Sequence, residues 1–271
     1  MDLIDLIDWD DAFDNSGYID GADAYFDIWA QKSKAARADL IGEIDVIYGA
    51  HPREKFDLFS PDDEPKGLVI FIHGGYWQRL DKSYFSHLAR GPVTAGYTVA
   101  IVSYPLAPEV RIAQITRSIA RAVDHSASLV DGPIYLIGHS AGGHLVTRMI
   151  CGSALLKVST QARLKKIVSV SGVYDLRPLC QTKMNAILRL NADEAASESP
   201  AMLEPSTNLD TCFWVGADER PEFLRQTRLI TEKWQRKGVP VNAVYDTGKH
   251  HFNVIDGLEH SQSPLLAELL F

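Results

Sequence analysis

Gly138-His139-Ser140-Ala141-Gly142 sets a serine between two glycines, directly after the apolar run Ile134-Tyr135-Leu136-Ile137 and ahead of a helix-forming stretch. G-x-S-x-G between strand and helix is the arrangement that lifts a serine hydroxyl to the top of a sheet on a tight, strained bend. Small flanks are needed there, which Gly138 and Gly142 supply, and the extra Gly143 lets the following helix pack close. A hydroxyl presented in this way is a nucleophile for acyl transfer, provided that a histidine takes its proton and a carboxylate orients that histidine.

The second candidate is His73-Gly74-Gly75-Tyr76-Trp77, which follows the apolar run Leu68-Val69-Ile70-Phe71-Ile72. Glycines at the end of a strand leave backbone N–H groups free to face a cavity, and such donors hold the negative oxygen of a tetrahedral intermediate. The expected donors of this oxyanion hole are the N–H groups of Gly75, Tyr76 and Ala141, with Gly74 shaping the loop and His73 tying it down. Tyr76 and Trp77 are expected to wall a substrate-binding pocket.

For the remaining roles, the chain order in such sheets is serine, then acid, then histidine. Gly216-Ala217-Asp218-Glu219-Arg220-Pro221-Glu222 follows the apolar run Cys212-Phe213-Trp214-Val215 and offers three carboxylates. Glu219 is the first choice for the acid and Asp218 the second, although a loop carboxylate taken alone is usually just solvated. The base is His250 or His251, since two adjacent histidines cannot both aim at one serine and His260 lies too near the end of the chain.

These residues need a sheet to hold them. Leu68–Ile72, Thr98–Val102, Ile134–Ile137, Ile167–Val170 and Cys212–Val215 read as strands buried on both faces, and Val241–Tyr245 alternates as an edge strand would. Helix-length segments at Arg111–Val130, Ala141–Cys151 and Pro221–Lys237 lie between them, which argues for a mostly parallel sheet with helices on both faces. Gly21–Leu40 reads as a further amphipathic helix over the sheet. Residues 178–208 hold no strong strand and read as a small cap or an elaborated surface connection. The 271 residues are expected to form one α/β domain.

Composition excludes other classes. With 46% hydrophobic and 23% charged residues the chain is ordinary globular protein. A net charge of −8 without a basic cluster argues against nucleic acid. No apolar run is long enough to cross a bilayer. Cys151, Cys180 and Cys212 are scattered, which fits neither a disulfide framework nor a thiolate metal site. The acidic start Met1–Asp8 is unlike a secretory signal. A cytoplasmic chain without metal or organic cofactor is expected, acting on a small-molecule acyl substrate. Self-association into a homodimer is compatible with the sequence.

Taken together, the motifs resemble the kynurenine formamidase (arylformamidase) branch of the α/β-hydrolases, near the hormone-sensitive-lipase-like esterases. His73-Gly74-Gly75-Tyr76-Trp77 is similar to the H-G-G-x-W signature of that branch, where neighbouring esterases carry H-G-G-G. Tyr104-Pro105-Leu106-Ala107-Pro108-Glu109, Gly138 to His144 and Ser171-Gly172-Val173-Tyr174-Asp175-Leu176 are similar to further segments of it. Pro221-Glu222-Phe223-Leu224-Arg225-Gln226 resembles the stretch after the catalytic acid, which puts Glu219 where the branch carries Asp. His251-Phe252 resembles its His-Phe pair, which selects His251 over His250. The resemblance implies an α/β-hydrolase fold and cleavage of N-formyl-kynurenine to formate and kynurenine through an acyl-enzyme. A carboxylesterase of short-chain or aryl esters is the alternative. A thioesterase or acyltransferase would use the same intermediate, and a ligand-binding member of the fold without catalysis is the alternative of another class.

Overall fold

The computed structural model describes residues 7–152 and 155–271. Residues 1–6 of the acidic start lie outside the described residues. Eight strands form one sheet: β1 (Gly42–Ile47), β2 (Lys55–Phe59), β3 (Leu68–Ile72), β4 (Thr98–Val102), β5 (Ile134–His139), β6 (Leu164–Val170), β7 (Asp210–Gly216) and β8 (Val241–Asp246). Their spatial order is β1-β2-β4-β3-β5-β6-β7-β8. β1 and β2 join antiparallel, and every pair from β3 and β4 across to β8 is parallel.

The six expected strands are all present, and β8 is an edge as its alternation suggested. β3 is fully buried because it serves two cores at once: Leu68, Ile70 and Ile72 join the apolar cluster on one face of the sheet, while Val69 and Phe71 join that on the other. The helix Ile112–Leu129 buries Ile112, Ile115, Ile119, Ala122 and Val123, the three-and-four spacing of a helix lying on a sheet. The other expected helices appear as Ala24–Asp39, Ala141–Arg148 and Pro221–Gln235.

The chain leaves β3 for β4 on one side and returns to β5 on the other, so the carboxyl ends of β3 and β5 border the crevice where open α/β sheets hold ligands. Residues 178–208 carry short helical turns at Arg177–Gln181, Asn185–Leu188, Ala192–Ser197 and Pro200–Met202 and no strand.

Candidate active site

Ser140 stands between β5 and the helix Ala141–Arg148 with φ 55° and ψ −117°, a positive φ that a side-chain-bearing residue adopts only under local compulsion. The compulsion comes from backbone packed on both sides. A Cβ at Gly142 would meet the Ile72 carbonyl oxygen at 1.9 Å, so only glycine lets the helix start this close to β3. Ser140 N–H donates to Val170 O at 2.8 Å, fixing the bend to the end of β6.

Glu219 lies in the turn after β7 with its side chain fully buried, and His251 lies in the loop after β8. Their side chains meet at 2.6 Å, His251 Nδ1 to Glu219 Oε2. An ionised carboxylate only accepts, so Nδ1 carries the proton and Nε2 is left as the basic nitrogen. The other carboxylate oxygen accepts from Ser171 Oγ at 2.5 Å and from Gly216 N–H at 2.9 Å. Asp218, by contrast, is exposed. His250 is turned elsewhere: its Nδ1 accepts from Phe252 N–H at 3.2 Å, and its Nε2 meets the Tyr25 hydroxyl at 3.1 Å.

Ser140 and His251 line one cavity of about 290 Å³. They are linked through His139, whose ring centroid lies 4.8 Å from that of His251 and whose Nε2–H donates to His251 O at 2.8 Å. Burial holds the His139 ring well below the ordinary histidine pKa, with the nearby His251 adding to the effect, so His139 stays neutral and serves as a brace. The Ser140 hydroxyl makes no hydrogen bond to a described residue.

Gly74, Gly75 and Tyr76 also line the cavity. A Cβ at Gly74 would stand 2.9 Å from Ser140 Cβ, which measures how closely this loop approaches the nucleophile. Gly75 has φ +109°, and its carbonyl accepts from the N–H groups of Gln78 and Arg79, both at 3.1 Å. No described group accepts from the N–H of Gly75 or Tyr76. Ala141, as the first helical residue, has no acceptor within its helix. His73 ties the loop as expected, through Nδ1–H to Gly74 O at 2.6 Å and stacking on Tyr104 at 4.3 Å. Burial lowers its pKa to about 4.

Trp77 corrects an expectation. It is fully buried and lies away from the cavity, its Nε1–H donating to His144 Nδ1 at 3.2 Å. A positive φ of 58° at Trp77, after 51° at Tyr76, turns consecutive side chains in different directions, so Tyr76 faces the cavity and Trp77 packs into the core. The cap expected at 178–208 contributes only Met184 to the wall. Asp10, Phe13, Asp14, Asn15 and Ser16 contribute more, together with the aromatics Phe26, Trp29, Phe85 and Phe252. Nothing in the N-terminal residues carries a motif that would have announced this. Ser171 likewise lies in no sequence pattern that points to the triad, yet its positive φ of 52° at the end of β6 aims it at Glu219. Among the described residues no cluster of His, Cys, Asp or Glu could hold a metal ion, and no helix is long and apolar enough to cross a membrane.

Residues 69–254 match the model of a family described as the alpha/beta hydrolase fold. The chain is 33% identical over 229 residues to a kynurenine formamidase of Salmo salar, covering 79% of this chain and 76% of the relative. It is 30% identical to a kynurenine formamidase of Danio rerio, covering 89% and 85% of the two chains. Among solved structures, a proposed thioesterase from a Silicibacter species superposes with a TM-score of 0.93 at 42% identity, over 98% of this chain and 100% of that one. With the strand order, the serine bend and these likenesses together, the chain belongs to the α/β-hydrolase family, in its kynurenine formamidase branch, and is a hydrolase.

Proposed function

We propose that the chain is an arylformamidase that cleaves N-formyl-kynurenine or a similar aryl formamide, with Ser140, His251 and Glu219 as its triad. The contact that carries this reading is Glu219 to His251 at 2.6 Å, which leaves Nε2 as the basic nitrogen of a ring that lines the same cavity as Ser140. Ser140 Oγ adds to the formyl carbon while its proton passes to His251 Nε2. The N–H groups of Gly75, Tyr76 and Ala141 receive the oxyanion, each contributing about 3 kcal/mol to the transition state. The C–N bond breaks as His251 returns the proton to the aryl amine. Water then attacks the formyl-enzyme, giving its proton to His251, and formate leaves with Ser140 restored. No cofactor enters these steps.

The compact cavity of about 290 Å³ and its aromatic wall suit a small acyl group on an aryl amine. A second reading, hydrolysis of an acyl thioester, is favoured by the 42% identity to the Silicibacter protein. The free cysteines Cys151, Cys180 and Cys212 support the cytoplasm as the place of action, and the net charge of −8 supports a small molecule over nucleic acid.

The test is parallel turnover of N-formyl-kynurenine, 4-nitrophenyl acetate and an acetyl thioester by the wild type and Ser140→Ala. The formamide should be the best substrate by kcat/KM, and Ser140→Ala should lose all three activities and labelling by a fluorophosphonate. Fast thioester cleavage beside negligible formamide turnover would replace the first reading with the second.

A further inference from the structure

One wall of the cavity over Ser140 comes from residues 10–16, outside the region 69–254 that matches the family. Within it Asn15 is only 5% exposed, and Tyr76 fixes which way its amide points. The Tyr76 hydroxyl has one proton, which it donates to Phe13 O at 2.5 Å. It therefore accepts from Asn15 Nδ2 at 3.2 Å, and the amide cannot be reversed. Asn15 Oδ1 is left as a buried acceptor without a donor among the described residues. Leaving such an atom unpaired costs stability, a penalty that a bound N–H group removes.

Arg79 lines the same cavity. Its backbone N–H is bonded to Gly75 O at 3.1 Å, and its guanidinium lies 5.8 Å from the centre of the Phe26 ring, with no carboxylate among the described residues paired to it. Asp14, beside Asn15, also lines the cavity and uses its carboxylate for the Gly17 N–H at 3.0 Å. Asp10, the other acid of this wall, accepts from Lys183 N–H at 2.7 Å, so an unpaired cation, an unpaired buried acceptor and the acid Asp14 around one aromatic-walled space ask for a ligand with both a carboxylate and an ammonium group.

We infer that Asn15 and Arg79 are specificity-determining residues that read an α-amino acid headgroup on the leaving amine, Arg79 taking the carboxylate and Asn15 Oδ1 with Asp14 taking the ammonium. The inference rests on the arylformamidase reading for its substrate, but the headgroup site can be measured without turnover.

Calorimetric titration of the wild type uses three ligands. L-kynurenine carries the whole headgroup, 4-(2-aminophenyl)-4-oxobutanoate keeps the carboxylate alone, and 2-aminoacetophenone has neither charge. L-kynurenine should bind at least tenfold tighter than 2-aminoacetophenone. Arg79→Gln, at an exposed position that folding tolerates, should remove the advantage of both acids. Asn15→Leu should remove only the advantage of L-kynurenine over the deaminated acid, and Asn15→Asp should retain it. Equal affinity for L-kynurenine and 2-aminoacetophenone, no measurable binding of L-kynurenine, or an advantage that survives Arg79→Gln overturns the inference. Tight binding of L-kynurenine without cleavage of its formamide would instead retire the arylformamidase reading and leave the headgroup site standing.

Discussion

Ser171 Oγ stands 2.5 Å from Glu219 Oε1, so the carboxylate that meets His251 through one oxygen is anchored through the other. The anchor comes from the end of β6 and the acid from the end of β7, two neighbouring parallel strands. Glutamate reaches one methylene farther than aspartate, and this second contact removes the freedom that the longer arm would bring.

Removing the anchor should therefore lower turnover without changing substrate affinity. A hydrogen bond to a charged group contributes about 1.5–3 kcal/mol, so Ser171→Ala is expected to lower kcat roughly tenfold or more. Glu219→Gln should be far more damaging, about 10⁴-fold in kcat, because the amide no longer enforces the tautomer of His251. Steady-state kinetics on 4-nitrophenyl acetate would decide this, and a wild-type kcat in Ser171→Ala would show the anchor to be irrelevant.

Gly216 sets how near the histidine loop comes to the acid. A Cβ there would lie 2.2 Å from Lys249 O, a backbone atom two residues before His251. Gly216→Ala must push that loop away, so the rate of fluorophosphonate labelling should fall at least tenfold while the circular dichroism spectrum is retained. Labelling at the wild-type rate would mean that the loop relocates without moving His251.

Acid should destabilise the fold before the carboxylates titrate. Burial lowers the pKa of His73 and His144 to about 4 and that of His87 to about 3, against an ordinary 6.5. Their folded-state values are depressed, so the unfolded chain binds the extra protons below 6.5. The stability they contribute is complete above that pH and is lost as the pH falls towards 4. Each histidine contributes about 1.4 kcal/mol per pH unit within that window. Urea midpoints at pH 7.5 and 5.5 should show a clear drop, and equal midpoints would mean that these rings are not held neutral.

Trp77 should matter for folding and not for binding. Trp77→Phe removes the hydrogen bond to His144 and part of a buried side chain, and should cost about 1–3 kcal/mol. KM should stay within twofold of wild type, whereas a large rise in KM would return Trp77 to the pocket wall.

The amino-acid sequence determined the parts of this protein whose cause is local. The serine bend follows from glycines that no other residue can replace beside Ile72, and the central strands follow from apolar runs buried on both faces. β1 and β2 are not legible in the sequence because β1 is an exposed edge, and Lys55–Phe59 is too short and mixed to show one clear period. The order of serine, acid and histidine reduced the bases to His250 and His251, and family likeness favoured the second. Only the packed fold shows why: His250 bonds to Tyr25 and to its own loop, while His251 is clasped by Glu219 and His139. The same holds for Trp77, sent inward by two successive positive φ values, and for Asn15, brought to the cavity by Tyr76 from 61 residues away. Contacts made across such separations leave no period or spacing in the chain, because they depend on where whole strands and loops come to rest.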